Sequence, residues 1–387
     1  MTASARGQVP PFHVMRVLAA AAARRELGMP VYDLSAGQPS TPAPPAVRAA
    51  ASRALCEERI GYTIALGIPP LRAAIAGHYA AWYGLDVDPS LVAVTTGSSG
   101  GFLLAFLAAF EAGDEVVVLR PGYPAYRNML CALGCRVVEL PCGPEREFRP
   151  TVELLDGLSR APAGVVLAGP ANPTGTIVPA DELAAITRWC SANSVRLISD
   201  EIYHGICYGV RATSAWETSR SAVVVSSFSK YFSMTGWRLG WLLAPPELVD
   251  SVDRLAGNFA LCPPTLAQHA ACRAFESYAE LDSNVARYAR NRDLLLQRLP
   301  QIGIGQLAPA DGAFYVYADV SSFTRDSLAF CARLLDETGV AITPGVDFDQ
   351  VDGGHYVRMS FAGDHSEIAA GMDVLADWLA DARPAGA

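Results

Sequence analysis

The chain has 387 residues, of which 51% are hydrophobic and 18% charged, with 30 Lys and Arg against 39 Asp and Glu for a formal net charge of −9. That length fits two or three domains, or one large and one small, and the apolar content excludes disorder across the whole chain. A net acidic chain without basic runs also argues against a nucleic-acid partner.

In chain order, residues 1–45 carry Pro10-Pro11, Pro39, Pro42 and Pro44-Pro45 and read as partly irregular. The alanine-rich run 18–23 between Arg16 and Arg24 is too short for a signal-peptide core and has no cleavage pattern. A cytoplasmic chain is the expectation. Residues 91–95 read as a strand, followed by a Gly/Ser loop over 97–101 and a helix over about 101–110. The uncharged stretch 91–110 could cross a bilayer by length, but only 102–110 is continuously apolar, so no membrane association is expected.

Further strands are expected at 115–119, 136–140, 165–168, 195–199, 222–226 and 237–243, with a helix over 181–192. Strands alternating with helices predict an α/β fold whose mostly parallel sheet is covered on both faces. After about residue 285 a long helical pattern leads into a strand at 313–320, a helix at 327–338 and a strand at 356–361. The expected division is a large domain of residues 46–285 and a smaller α+β domain built from 1–45 and 286–387.

The nine cysteines are odd in number, scattered and mostly set in apolar segments, which suits reduced thiols. Cys131, Cys135 and Cys142 lack a CxxC pair or nearby histidines, and Asp347, Asp349, Asp352 and His355 miss the calcium-loop spacing, so no metal is expected.

In an open parallel sheet, ligands bind beyond the carboxyl ends of the strands. Those ends deliver Asn172, then Asp200 with Tyr203, then Ser227 with Lys230, and Arg238 close behind; the first strand opens into the loop 97–101. Such a loop can cradle an anion with backbone N–H groups, assisted by the Ser98 and Ser99 hydroxyls. No GxxxxGK is present, which excludes a nucleotide P-loop. Taken singly, the loop also reads as a plain turn, Asp200 as a cap, Tyr203 as a core aromatic and Lys230 as a surface lysine. Their convergence on one rim is the argument.

Together these residues resemble a known family. Ser35-Ala36-Gly37-Gln38-Pro39, Tyr62 with Gly67-Ile68-Pro69-Pro70-Leu71-Arg72, Pro121-Gly122-Tyr123-Pro124, Asn172-Pro173-Thr174-Gly175, Asp200-Glu201-Ile202-Tyr203, Ser227-Phe228-Ser229-Lys230, Gly236-Trp237-Arg238-Leu239-Gly240 and Val357-Arg358-Met359-Ser360 follow the order of the class I/II aminotransferases, pyridoxal 5'-phosphate enzymes of fold type I. The resemblance runs from about residue 30 to 362. It implies that Lys230 binds the cofactor covalently and then carries the proton, and that Asp200 pairs with the pyridine nitrogen. Tyr203 and Asn172 would bond the ring's phenolic oxygen, and Tyr123 would stack on the ring. Ser98, Ser99, Gly100, Ser227 and Arg238 would hold the phosphate. Tyr62 would reach the phosphate of a neighbouring subunit, which implies a homodimer with shared active sites. Arg358 would clamp the substrate α-carboxylate, closely approached at Gly37, with Asn172 beside it.

The implied reaction is ping-pong transfer of an amino group between an L-amino acid and a 2-oxo acid. A lyase, replacement, cyclising or carbon–carbon bond-forming reaction on the same scaffold is the alternative. Related aspartate-preferring enzymes often place a lysine just after the phosphate-loop glycine, and 97–101 has no cation. A small, apolar or aromatic donor is therefore favoured over aspartate, with pyruvate or 2-oxoglutarate as partner. Phe12, Val14 and Tyr62 are candidates for the side-chain pocket. Arg127 reads either as the missing cation or as a solvated surface arginine.

Overall fold

The computed structural model describes residues 2–381. Its strands are β1 Tyr32–Asp33, β2 Val92–Thr95, β3 Glu115–Arg120, β4 Arg136–Pro141, β5 Gly164–Ala168, β6 Arg196–Asp200, β7 Val223–Ser227, β8 Gly240–Leu243, β9 Tyr315–Asp319, β10 Val340–Ala341, β11 Thr343–Pro344 and β12 Tyr356–Ser360. Seven of them form one sheet in the order β2-β8-β7-β6-β5-β3-β4. Only β8 runs antiparallel to its neighbours, so the expected α/β architecture holds.

The apolar runs explain why this sheet is central. β2, β7 and β8 are buried along their whole length, as a strand with both faces covered must be. Each buried valine or leucine there stabilises the fold by about 1.5–3 kcal/mol. Helix Gly97–Ala109 packs on β7 and β8. Its mean composition is apolar around its circumference, which suits a helix buried on several sides.

A second, three-stranded antiparallel sheet has the order β11-β12-β9. The N-terminal strand β1 does not join the large sheet. It pairs in parallel with β10, Tyr32 opposite Val340.

Two expectations need correction. The N-terminal segment is less irregular than its prolines suggest, because His13–Glu26 is a helix of 14 residues. The supposed loop 97–101 is already the first turn of helix Gly97–Ala109. Both signals were hidden because neither helix has a side-chain cap at its own N-terminus. Among the described residues no helix is long and apolar enough to cross a membrane, and no metal-binding cluster is present.

Candidate active site

A cavity of about 250 Å³ opens at the carboxyl ends of β5 and β6, between the two larger sheets. Asp200 ends β6, Lys230 follows β7, Arg238 precedes β8, and Arg358 lies on β12 of the smaller sheet. Gly37 follows β1. Ser98, Ser99, Tyr123, Asn172, Tyr203 and all five of these residues line the cavity.

Lys230 Nζ donates to the carbonyl oxygen of Gly37 at 2.6 Å. Burial lowers its pKa to about 8, and the positive charges of Arg358 and Arg238 push the same way while Asp200 opposes them. Asp200 is pushed up to about 6 by burial, against bonds from Tyr126 Oη and from the Ile202 N–H at 3.0 Å and against the charge of Lys230. An amine and a carboxylate, each displaced toward neutrality by a dry site, suit proton handling near neutral pH.

The Arg358 guanidinium donates to Asn172 Oδ1 and to the carbonyl of Ser35, each at 2.9 Å. It lies 4.3 Å from the Tyr315 ring centroid and 4.9 Å from that of Phe348. It is 3% exposed and its Nε has no hydrogen-bond partner. Among the described residues neither Arg358 nor Arg238 forms an ion pair with a carboxylate. Arg238 is exposed, but Arg358 is a buried cation without an anion, which is costly, so its end of the cavity is built to receive one.

Arg238 adopts the left-handed conformation with φ 52°, at a cost of about 1–3 kcal/mol for a non-glycine residue. That turn brings its guanidinium against Gly97, where any Cβ would lie 2.6 Å from Nη2. The first-turn N–H groups of helix Gly97–Ala109 lack intrahelical acceptors. With the Arg238 charge beside them they form a second anion site. Gly37 is similarly constrained, since a Cβ there would meet the Tyr315 hydroxyl at 2.7 Å.

Three expected contacts do not line this cavity. Gly100 faces a separate cavity of about 120 Å³, because helical residues turn by about 100° each and carry it away from Ser98 and Ser99. Ser227 is buried at the end of β7, its hydroxyl donating to Leu239 O at 3.3 Å and accepting from Ser229 N at 2.9 Å. Ser229 supplies the lining hydroxyl instead. Tyr62, expected to reach the phosphate of a neighbouring subunit and also a candidate for the side-chain pocket, stands 85% exposed on the surface and takes no part in the pocket of its own chain.

Other expectations shift in detail. The Tyr203 hydroxyl is bonded to that of Tyr315 at 2.7 Å. Arg127 is neither a cavity cation nor solvated: its side chain is 12% exposed and Nη1 is paired with Glu139 at 3.1 Å. Phe12 and Val14 do line the cavity, joined by Met15 and Leu18.

Sequence reasoning missed Tyr126, Tyr315 and Phe348. Tyr126 had a usable signal, since it sits three residues after Tyr123 on a helix opened by Pro124 and therefore shares its face. Tyr315 and Phe348 had none, because their roles come from packing against Arg358.

Residues 30–375 match the family model for aminotransferase class I and II. The valine–pyruvate aminotransferase of Mycobacterium tuberculosis is 59% identical over 378 residues, covering 97% of each chain. The aspartate/prephenate aminotransferase of Thermus thermophilus is 34% identical over 95% of each. Among solved structures, an aminotransferase from M. tuberculosis superposes with a TM-score of 0.96 at 57% identity, covering 98% of this chain and 100% of that one. T. thermophilus aspartate aminotransferase with maleate gives 0.92 at 33% identity, with 97% and 99% covered. The chain therefore belongs to the class I and II aminotransferases, with their fold type I architecture, and is an enzyme that moves an amino group between an amino acid and a 2-oxo acid.

Proposed function

We propose that this aminotransferase uses pyridoxal 5'-phosphate and takes its amino group from a small or apolar L-amino acid, valine and alanine among them, for delivery to a 2-oxo acid such as pyruvate in two half-reactions. The observation that carries the donor class is the cavity wall of Phe12, Val14, Met15 and Leu18, with the one suspected extra cation, Arg127, tied to Glu139. The M. tuberculosis relative, a valine–pyruvate aminotransferase, agrees with it.

The residues present fit the cofactor. An anion site at Ser98, Ser99 and Arg238, with Ser229 lining the same cavity, suits its phosphate; Asp200 suits a protonated ring nitrogen; Tyr123 offers an aromatic face. Bound there, the cofactor supplies an electron sink for the pair released when the substrate Cα–H bond breaks. Lys230 would hold the cofactor covalently and then carry that proton as its neutral amine. Asp200 would hold the ring-nitrogen proton in place. Asn172 and Tyr203 would orient the ring, and Arg358 would grip the substrate α-carboxylate bidentately, with the chain kept close at Gly37.

Arg358→Ala is expected to raise KM for every amino acid by about 10²-fold, as loss of a buried charge-assisted pair implies, with little change in cofactor absorbance. Equal KM values in variant and wild type would remove Arg358 from the carboxylate role.

The division into residues 46–285 and 1–45 with 286–387 is part of the proposal, supported by the pairing of β1 with β10. So is a cytoplasmic homodimer with shared sites. All nine cysteines are unpaired thiols, as a reducing compartment requires. Tyr62 and Ile64 are exposed, as are Phe259 and Leu261. The two segments meet where Thr265 Oγ1 bonds Gly61 O at 2.6 Å, and such an apolar surface calls for a covering partner.

The test is to add single amino acids to the cofactor-loaded enzyme without any oxo acid. Stoichiometric release of the matching 2-oxo acid identifies the donor. If kcat/KM for aspartate exceeds that for alanine and valine, the donor class is wrong; product without oxo-acid release would point to a lyase or replacement reaction.

A further inference from the structure

We infer that Asp347 is a positioning residue: it pins the first turn of helix His13–Glu26 over the cavity and so sets the fit of an apolar donor side chain. The inference rests on the apolar-donor reading above.

That helix begins without a cap of its own, since Phe12 at its N-cap position offers no side-chain acceptor. Its first N–H groups need partners from elsewhere. Asp347, 3% exposed, supplies both: Oδ1 accepts from His13 N at 2.8 Å and Oδ2 from Val14 N at 2.7 Å. A carboxylate on two helix N-terminal amides is a charge-assisted clamp, favoured further by the helix dipole.

What the clamp holds matters. Phe12 packs edge-on against Tyr123 with ring centroids 5.9 Å apart, and Phe12, Val14, Met15 and Leu18 form one wall of the cavity. Asp347 is itself fixed in the tight turn Gly345–Asp347, whose Gly345 carbonyl accepts from the N–H groups of Phe348 at 2.9 Å and Asp349 at 3.0 Å. Phe348, the next residue, lies against the Arg358 guanidinium. One short turn thus joins the carboxylate end of the cavity to its side-chain end. Asp347 lines neither, so it acts through the helix.

The test measures kcat and KM separately for valine and alanine in the holoenzyme, together with backbone hydrogen exchange over residues 12–18. Asp347→Ala is expected to raise KM for valine about tenfold, with kcat and both alanine constants changed by less than about threefold. The amides of His13 and Val14 should exchange at least about tenfold faster. Asp347→Asn, which keeps one acceptor oxygen but turns an amide donor toward the other helix N–H, should give a valine KM and amide exchange between those of wild type and Asp347→Ala. Equal losses for both donors, a loss confined to kcat, or unchanged exchange would each overturn the inference. Should Asp347→Ala not fold, the intermediate valine KM and the faster His13 and Val14 exchange expected of Asp347→Asn carry the same test, and wild-type values for both would overturn the inference. If the wild type takes an amino group from neither valine nor alanine, the donor reading fails, and exchange over 12–18 decides the clamp by itself.

Discussion

Replacing Lys230 with alanine is expected to abolish turnover, lowering kcat by at least about 10⁴-fold, because it removes the proposed covalent tether and a proton carrier worth about 10²–10⁴-fold. The visible absorbance of lysine-bound cofactor should vanish with it. The wild-type amine carries a pH signature that tests the same role. Its pKa is lowered from 10.5 to about 8 by burial and by two neighbouring guanidiniums. The neutral, nucleophilic form therefore grows as pH rises through 8 instead of through 10.5, and only about a tenth is neutral at pH 7. Covalent uptake of added pyridoxal phosphate by cofactor-free enzyme should accelerate through that window and level off above it. A rate still climbing steeply towards pH 10, or an active Lys230→Ala variant, would take Lys230 out of the mechanism.

The second large effect is expected at Asp200. Asp200→Asn keeps the side chain's volume and can keep its contact with the Ile202 N–H, but loses the charge. A unit charge about 4 Å from its partner, at an effective dielectric of about 20, is worth about 4 kcal/mol, or about 10³-fold in rate. The loss should fall on kcat, with part of the cofactor still bound through the anion site at Ser98, Ser99 and Arg238. Asp200 sits near 6 here because burial penalises its ionised form; a protonated ring nitrogen against it reverses that shift. Tyr126→Phe, which removes one hydroxyl donor from the carboxylate, should cost far less. Wild-type kcat in Asp200→Asn would leave the ring proton without its proposed holder.

Much of this was legible in the residues. Helix Ser327–Thr338 falls where the sequence put it, because its punctuation is local: the Asp326 carboxylate accepts from Ala329 N at 3.0 Å, and Gly339 closes it in the left-handed conformation. The strands ending at Ala168, Asp200 and Ser227 were readable within a residue or two, since β-branched runs bounded by polar turns mark buried parallel strands. That Asp200 and Lys230 share a rim also followed from sequence, because parallel strands present their carboxyl ends together; Arg238, which precedes β8, joins them only because that strand runs antiparallel.

Other features have no local signal. A serine at 227 and one at 229 look alike in the chain, and only the strand's orientation decides that Ser229 reaches the cavity while Ser227 turns to Leu239. Tyr315 and Phe348 are ordinary aromatics until Arg358 is packed between them. Helix His13–Glu26 is the clearest case, since its cap is Asp347, 334 positions from His13 along the chain. The sequence by itself determined the family, the α/β order and the chemistry-bearing side chains, all of which are encoded in short motifs and local periodicity. Which serine, which tyrosines and which distant carboxylate complete the site was decided only by tertiary structure, because hydrogen bonds and burial depend on neighbours in space that no window of the chain contains.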